Sequence, residues 1–236
     1  MKIHYHNNLS SVYRIVFILI VPFLLSSCLK KSGPDASSIV SAITVINASP
    51  NSPTLEFVLD NQRVQEFSYP DKKIPYFAAF SGSRMARIYE AGNLNLPLYE
   101  LELRLMQGNY YSLFISGNKN ALGSLMVEDD LSPTTPGNAK IRFINLSPDA
   151  PALDFKIDDD NILASNKKFR EYTGFQELKA GDYNAIIESH DGDAANEPFD
   201  LTVEDGKIYT IWAKGLVEST VEEEKFGYSI LVHSIN

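Results

Sequence analysis

The sequence predicts an all-β protein made of two β-sandwich domains in tandem, and three observations lead to that fold class. The chain holds 12 Tyr and 13 Phe against four Met and one Trp in 236 residues, and aromatic side chains are enriched in strands. Short runs of alternating apolar and polar residues are separated by turn-forming residues, which is typical of strands joined by turns. The third observation is an internal repeat.

The repeat is clearest in two loop-and-strand segments. Residues 47–60 read NASPNSPTLEFVLD and residues 145–158 read NLSPDAPALDFKID, with seven of fourteen positions identical. The same offset of 98 residues aligns GNYYSLF at 108–114 with GKIYTIW at 206–212. An offset kept over this distance indicates a duplicated unit of about 95 residues.

Within each unit, short runs with a period of two predict strands. The most regular run is 101–105, where three Leu alternate with Glu102 and Arg104. Such alternation places one face on a core and the other in water. The predicted strands include 42–46, 55–59, 101–105, 140–144 and 153–157. About seven short strands in each unit are typical of immunoglobulin-like or transthyretin-like sandwiches.

The repeat also sets the predicted domain boundaries. We assign residues 39–132 to the first β-sandwich and residues 133–236 to the second. The connection SPTTPGN, at 132–138, contains two Pro and one Gly that interrupt any strand pairing. Because it is short, we expect the two domains to touch or to keep a limited range of angles.

The N-terminal segment has the features of a secretory signal peptide. Lys2 and Arg14 precede an apolar run at 15–25, and the segment holds no acidic residue. As a helix this run spans roughly 16 Å, too short for a hydrocarbon core of about 30 Å. We therefore expect residues 1–27 to be a lipoprotein signal peptide.

Cys28, the only cysteine, follows Leu25-Ser26-Ser27, and together these residues resemble a bacterial lipobox. We predict that Cys28 is lipidated and that its acyl chains anchor the protein to a membrane. Residues 28–38, which contain Gly33-Pro34, read as a flexible tether. An ordinary secretory signal with a chance cysteine is the alternative.

The residues after Cys28 bear on the destination of the protein. Leu29 differs from the Asp that resembles an inner-membrane retention signal. Lys30-Lys31 stand where lipoproteins exported to the surface of Bacteroidetes cells often carry acidic residues. We therefore expect a lipid-anchored protein of the cell envelope, in the outer membrane and facing the periplasm.

The second copy resembles a known family. SPDAPALDFKID after an apolar strand, followed by a Gly-aromatic strand, an Asp-Asp pair and a Pro-rich link between copies, is similar to the domain of unknown function 4397 family. The resemblance covers residues 40–236. In the first copy Asn51-Ser52 replace the usual Asp-Ala. The resemblance implies a β fold and an envelope location, and it transfers no catalytic residues.

The Ser-Pro-x-x-Pro loops and an acidic turn are the most distinctive local motifs. We expect Asn47 and Asn145 to bond the neighbouring backbone through their side chains; a ligand-binding rim is the alternative. The carboxylates at 158–160 could bind Ca²⁺, but their spacing is not that of a calcium loop. We interpret them as a solvated turn and expect no metal and no cofactor.

No complete catalytic motif occurs in the sequence. Ser189, His190 and Asp191 contain the residue types of a hydrolytic triad, but consecutive strand residues point to opposite faces and cannot form the relay. His190 and His233 are the two histidines beyond the leader. We therefore expect a protein that is not an enzyme, and a hydrolase with an unrecognised site stays a third alternative.

The net charge and the aromatic residues indicate which classes of partner the protein could bind. The formal net charge of −9 argues against nucleic acid. Residues 28–132 carry a net −2 and residues 133–236 a net −9, so a basic protein could bind the second domain; solubility is the simpler explanation. Tyr110 and Trp212 are the candidate binding residues because an exposed ring stacks on a sugar, while burial in a core is the alternative.

These observations favour a non-enzymatic envelope lipoprotein that binds or assembles with an unknown envelope protein. A glycan-binding module at the envelope is the alternative.

Overall fold

The strands that the sequence predicts are present in a computed structural model, which describes residues 39–70, 72–158 and 161–234. Ser37–Asn236 forms one compact unit. The first domain contains β1 (Val40–Ala48), β2 (Leu55–Leu59), β3 (Gln62–Phe67), β4 (Ile74–Phe80), β5 (Gly82–Glu90), β6 (Tyr99–Leu105), β7 (Tyr110–Asn118) and β8 (Ala121–Asp129). The second contains β9 (Asn138–Asn145), β10 (Leu153–Ile157), β11 (Asn161–Lys167), β12 (Gln176–Lys179), β13 (Gly181–Ser189), β14 (Asn196–Val203), β15 (Ile208–Lys214) and β16 (Gly227–Val232).

Each domain is a sandwich of two four-stranded sheets, which confirms the predicted fold class. The strand orders are β4-β1-β7-β8 and β3-β2-β5-β6 in the first domain, and β12-β9-β15-β16 and β11-β10-β13-β14 in the second. The pairs β1–β7 and β9–β15 are parallel, and the other strand pairs are antiparallel. Each domain has eight strands rather than the predicted number of about seven.

The sheets stack in four layers, with an apolar core between each neighbouring pair. One core lies between the two sheets of the first domain and another between those of the second. A third core joins the sheet β4-β1-β7-β8 to the sheet β12-β9-β15-β16, which we call the inner sheets; the other two are the outer sheets. This interdomain core consists of Ile46, Ala48, Phe114, Val127, Ile144, Leu146, Trp212 and Leu231. The domains therefore touch through a continuous apolar contact.

The predicted alternation of core-facing and water-facing residues holds in the outer strand β6. There Leu103 is buried, whereas Glu102 and Arg104 are exposed. In β2 the same prediction is wrong, because Glu56 is buried and forms an ion pair with Arg63 of β3. The inner strands also depart from it, since β1, β7, β9 and β15 have cores on both faces. Strands buried on both faces read as near-continuous apolar runs.

Equivalent residues of the two copies meet in the interdomain core. Phe114 and Trp212, which are 98 residues apart, pack edge to face with ring centroids 6.1 Å apart. Ile46 and Ile144, also 98 apart, lie in the same core. Contact between equivalent residues is the mark of an isologous interface around a two-fold axis. The two domains are therefore packed as a pseudo-symmetric pair within one chain.

At one side of the interface, Arg170 of the second domain packs against Gly123 of the first domain. The Nε of Arg170 donates to Ser116 Oγ at 3.0 Å and its Nη2 donates to the Ser116 carbonyl at 3.3 Å. The guanidinium passes directly over Gly123, where an added Cβ would lie 2.1 Å from Nη2. Gly123 is thus required for this arginine to reach the first domain.

Replacing Gly123 with Ala is expected to displace the Arg170 guanidinium and to remove both of its hydrogen bonds to Ser116. We expect the free energy of unfolding to fall by about 1–2 kcal/mol, measured by urea denaturation. Gly174→Ala is the matched control, since no atom lies within 4 Å of its added Cβ. Equal stability of the two variants would contradict the conclusion that Arg170 needs a glycine at position 123.

Candidate functional site

The Ser-Pro-x-x-Pro loops have a structural role, and their asparagine side chains bond the neighbouring backbone as the sequence predicted. Asn47 Oδ1 accepts a hydrogen bond from the Ser49 N–H at 2.9 Å, and Asn145 Oδ1 accepts one from the Ser147 N–H at 3.1 Å. All four residues are buried. Because the two loops use their asparagines in the same way, they serve to turn the chain from β1 to β2 and from β9 to β10.

The residues that resemble a triad in sequence do not converge. Ser189 Oγ accepts the Ala195 N–H at 2.8 Å, whereas His190 Nδ1 lies 3.0 Å from Asp154 Oδ1. Burial raises the pKa of Asp154, but hydrogen bonds from the Asn166 N–H and from His190 outweigh it, so that this pKa lies below its usual value. The Asp154–His190 pair could not be predicted from the sequence, because the register of β10 and β13 creates it.

Of the three carboxylates in the predicted acidic turn, the structure describes only that of Asp158. Asp158 adopts a left-handed backbone conformation, and its Oδ1 accepts the Asn184 N–H at 3.1 Å. Asp159 and Asp160 lie outside the described residues. Within residues 39–70, 72–158 and 161–234, no three His, Cys, Asp or Glu side chains come together as a metal would need.

Five polar side chains close a hydrogen-bonded ring between the two inner sheets, which we call the polar ring; four of them are buried and Tyr76 is half-buried. Tyr76 and Asp129 come from the first domain, and Arg142, Thr210 and His233 come from the second. Asp129 lies 2.5 Å from both Arg142 Nη2 and Tyr76 Oη. Thr210 Oγ1 lies 2.8 Å from Arg142 Nε and 2.7 Å from His233 Nε2, and Tyr76 Oη lies 2.8 Å from His233 Nδ1.

The available protons determine which group donates and which accepts in each hydrogen bond of the polar ring. The carboxylate of Asp129 only accepts, so the hydroxyl of Tyr76 donates to it. The one hydroxyl proton of Tyr76 is then used, and His233 Nδ1–H must be the donor to Tyr76 Oη. Because the imidazole is neutral, Nε2 accepts from Thr210, whose oxygen accepts from Arg142. The structure therefore assigns the Nδ1–H tautomer to His233.

The surroundings of the polar ring satisfy its remaining groups. Ser112 Oγ donates to Asp129 at 2.8 Å, and Arg142 Nη1 donates to the Glu128 carbonyl at 3.0 Å. The Phe175 ring lies beneath the Arg142 guanidinium, 4.4 Å from centroid to Cζ. A buried polar network in which every member is satisfied rigidifies the contact that contains it. None of the contacts of the polar ring was predicted from the sequence.

Burial sets the charge state of the two titratable rings. Burial, followed by the charge of Asp129, raises the pKa of the Tyr76 hydroxyl. Burial, followed by the charges of Arg142 and Lys73, lowers the pKa of His233 to about 3. His233 is 8% exposed, and it is therefore neutral at neutral pH. Both shifts keep the direction of the polar ring fixed.

Acid is expected to weaken the folded state through His233. The unfolded chain binds a proton at this histidine below pH 6.5, whereas the folded protein does so only near pH 3, so stability is complete above pH 6.5 and falls as the pH is lowered. At pH 5 we expect a loss of about 2 kcal/mol, measured by urea denaturation at pH 7.5 and 5.0. His233→Asn should remove most of this loss and His190→Asn should retain it. An unchanged loss in His233→Asn would contradict the assignment.

Tyr110, the first predicted binding residue, is partly accessible. Its ring packs edge to face on Tyr76, with centroids 5.8 Å apart. It borders an open cleft of about 500 Å³ that Asn109, Glu128 and Ser132 also line. One side of the ring thus supports the polar ring while another borders polar groups that a ligand could reach.

Trp212, the second predicted binding residue, is buried, unlike Tyr110. It is 2% exposed and lies in the interdomain core against Phe114. An indole enclosed between two sheets has no open face for a sugar ring. The prediction that Trp212 binds a glycan is therefore corrected, because the face of β15 that it occupies is covered by the first domain.

Cys28, the predicted lipidation site, lies outside the described residues, as do the predicted signal peptide and tether. Its lipidation therefore stays a prediction. The part of the chain that the structure describes holds no helix with the length and apolar character needed to span a membrane.

The two outer sheets differ in charge. In the first domain three of the five glutamates of the outer sheet each have an arginine partner. The pairs are Arg63–Glu56, Arg87–Glu100 and Arg104–Glu102. In the second domain, Asp154, Asp182, Glu188 and Asp200 face outward with Lys156 as the one basic residue of β10, β13 and β14.

Asp182 and Asp200 are the carboxylates that this sheet leaves without a cation among the described residues. They lie on neighbouring strands, β13 and β14, and border a shallow hollow of about 350 Å³. Asp182 accepts a hydrogen bond from Thr202 Oγ1 at 2.7 Å. Glu188, in contrast, lies 2.5 Å from Lys156 Nζ. This outer face therefore carries part of the acidic character predicted for the second domain.

Comparison with known proteins gives one family match. The family described as "Domain of unknown function (DUF4397)" matches residues 41–156 and 148–224. No curated protein matches the chain.

Solved structures match with low similarity. The Bacillus anthracis TIE protein is 13% identical with a TM-score of 0.26, and the match covers 75% of this chain but only 34% of that one. CBMbc, of family CBM26, from Eubacterium rectale Amy13K in complex with maltoheptaose is 9% identical with a TM-score of 0.25, over 83% of this chain and 97% of that one. A family 41 carbohydrate-binding module from streptococcal virulence factors is 13% identical with a TM-score of 0.24, over 73% and 92%.

Proposed function

The chain belongs to the DUF4397 family, and we propose that it is a non-enzymatic binding module of the cell envelope, anchored through a lipid on Cys28. Its partner is a basic envelope protein that binds the outer sheet of the second domain. The inner sheets are occupied by each other, so the outer faces are the broad surfaces left for a partner. Joining two domains rigidly suits a protein that holds a partner at a fixed place.

The observation that carries the proposal is the unpaired charge on this outer sheet. Among the described residues, Asp182 and Asp200 have no cation beside them, whereas three of the five glutamates of the equivalent sheet in the first domain are paired with arginines. Carboxylates held on a rigid sheet attract and orient a basic surface, and they do so mainly through electrostatic steering. The same charges repel anionic lipids and polysaccharides.

The test uses Ser37–Asn236 as immobilised bait for the protein fraction of the solubilised envelope. We expect one basic protein to be retained and to elute with salt. The double variant Asp182→Asn/Asp200→Asn should weaken its affinity about fivefold. Glu204→Gln/Glu223→Gln is the matched control, because it removes the same charge from exposed turns elsewhere. Equal loss in both double variants, or no retained protein, would overturn the proposal.

A glycan ligand is the second candidate, and the exposed side of Tyr110 is the observation that favours it. The ring borders a cleft with amide, hydroxyl and carboxylate groups, and sugar sites combine an apolar ring with a few polar groups. Tyr110→Ala should abolish retention of envelope polysaccharide, whereas Tyr89→Ala, a half-buried tyrosine of β5, should not. Polysaccharide retained equally by both variants would exclude this cleft.

A further inference from the structure

We propose that β16 is a docking edge, on which an extended segment of a partner protein that carries a carboxylate adds as a fifth strand to the inner sheet of the second domain. This surface is distinct from the acidic outer face, and the proposal does not depend on that face. Three observations carry it: the composition of the strand, the direction of its backbone groups, and a groove beside it.

β16 is the one edge strand of the four sheets that has no protection against pairing. Natural sheets guard their edges with charges, proline or bulges. Guarding residues in the other seven edge strands are Arg63 (β3), Pro75 (β4), Glu102 (β6), Glu128 (β8), Lys167 (β11), Glu177 (β12) and Pro198 (β14). β16 reads GYSILV, with no charge and no proline, and it pairs with β15 without a bulge.

Among the described residues, the outer backbone groups of β16 have no hydrogen-bond partner. The His233 N–H donates to the Ile208 carbonyl at 2.9 Å, so this residue directs its backbone toward β15. In an antiparallel ladder alternate residues face the partner strand. The N–H and C=O groups of Tyr228, Ile230 and Val232 therefore point away from β15. Ile230 is 38% exposed and Val232 is 39% exposed, and β-branched side chains suit a strand interface.

A groove runs beside this edge at the seam between the inner sheets. One hollow of about 170 Å³ is bordered by Pro70, Trp212 and Ile230, and a smaller one of about 30 Å³ by Pro75 and Val232. Strand addition gains affinity from main-chain hydrogen bonds and specificity from such pockets for alternate side chains. A fifth strand would place its alternate side chains in these hollows.

Lys73 determines the charge of the occupant. Its side chain borders both hollows, and it has no ion pair with a described residue. Lys73 is exposed to solvent, and partial desolvation by its neighbours lowers its pKa. A carboxylate on the docked strand would supply the missing counter-charge. A second copy of β16 holds no acidic residue, so it would leave Lys73 unpaired.

The experiment selects peptides from a displayed library of random dodecapeptides on Ser37–Asn236. We expect enriched sequences to alternate β-branched residues and to contain an acidic residue. A synthetic peptide of the enriched sequence should slow hydrogen exchange at the amides of Ile230 and Val232. Ile230→Lys should weaken its binding at least about tenfold, as a charge guards an edge, and Lys73→Gln about fivefold.

Two controls separate this edge from other surfaces. Ile162→Lys changes an exposed isoleucine of β11 and should leave peptide affinity unchanged. Asp182→Asn/Asp200→Asn should also leave it unchanged, so that failure of the proposed function and failure of this inference are distinguishable. The inference is overturned if no sequence is enriched over Ile230→Lys, if the amides stay unprotected, or if Ile230→Lys abolishes a dimer of the protein instead.

Discussion

Replacing Arg142 with Met is expected to lower the free energy of unfolding by about 3–5 kcal/mol. The change keeps much of the volume but leaves the Asp129 carboxylate, which is 0% exposed, without its cation. It also removes the donor to Thr210 and thereby opens the polar ring. An uncompensated buried charge is more costly than the loss of an exposed ion pair. Urea denaturation followed by far-UV circular dichroism measures the loss.

Two further variants separate the buried pair from a general effect of removing an arginine. Arg87→Met breaks an exposed pair with Glu100 and should cost no more than about 1 kcal/mol. Adding Asp129→Asn to Arg142→Met should recover about 1–3 kcal/mol, because the orphaned charge is removed. A loss for Arg142→Met as small as that for Arg87→Met would contradict a buried interdomain pair.

Replacing Trp212 with Ala is expected to cost about 3–5 kcal/mol. The indole is the largest side chain of the interdomain core, and its removal would leave a cavity between two sheets that cannot collapse onto each other. Denaturant midpoints from circular dichroism measure the effect. Tyr89→Ala, in a half-buried position of β5, is the matched control and should cost much less. If Trp212 lay on the surface, the two variants would be alike.

The repeat and the alternation made much of the fold predictable. The offset of 98 residues located both domains, and period-two runs located strands such as β6, because an outer strand has one wet face. The interdomain core was not predicted, although YYSLFIS in β7 carried a signal. A strand with apolar residues on both faces indicates covered faces, but the sequence does not say that the cover is the other copy.

The polar ring was beyond sequence reasoning for a different reason. Its members come from separate strands, and Tyr76 and His233 are 157 residues apart. Asp129 and His233 occupy equivalent places, opposite Tyr110 and Ile208 of the two copies, yet they differ in chemistry. Comparing the two copies therefore does not reveal the polar ring, because equivalent positions of the pseudo-symmetric interface carry different residues. Trp212 was misjudged for the same reason, because its role depends on what covers β15.

We expect the interdomain core and the polar ring to make the two domains one cooperative unit. This expectation is tested by urea denaturation of Ser37–Asn236, followed together by the fluorescence of Trp212 and by far-UV circular dichroism. Trp212 is the only tryptophan and reports on the interdomain core, while the dichroism reports on strands of both domains. We predict a single transition with coincident midpoints. Two separate transitions, one of them silent in fluorescence, would contradict this expectation.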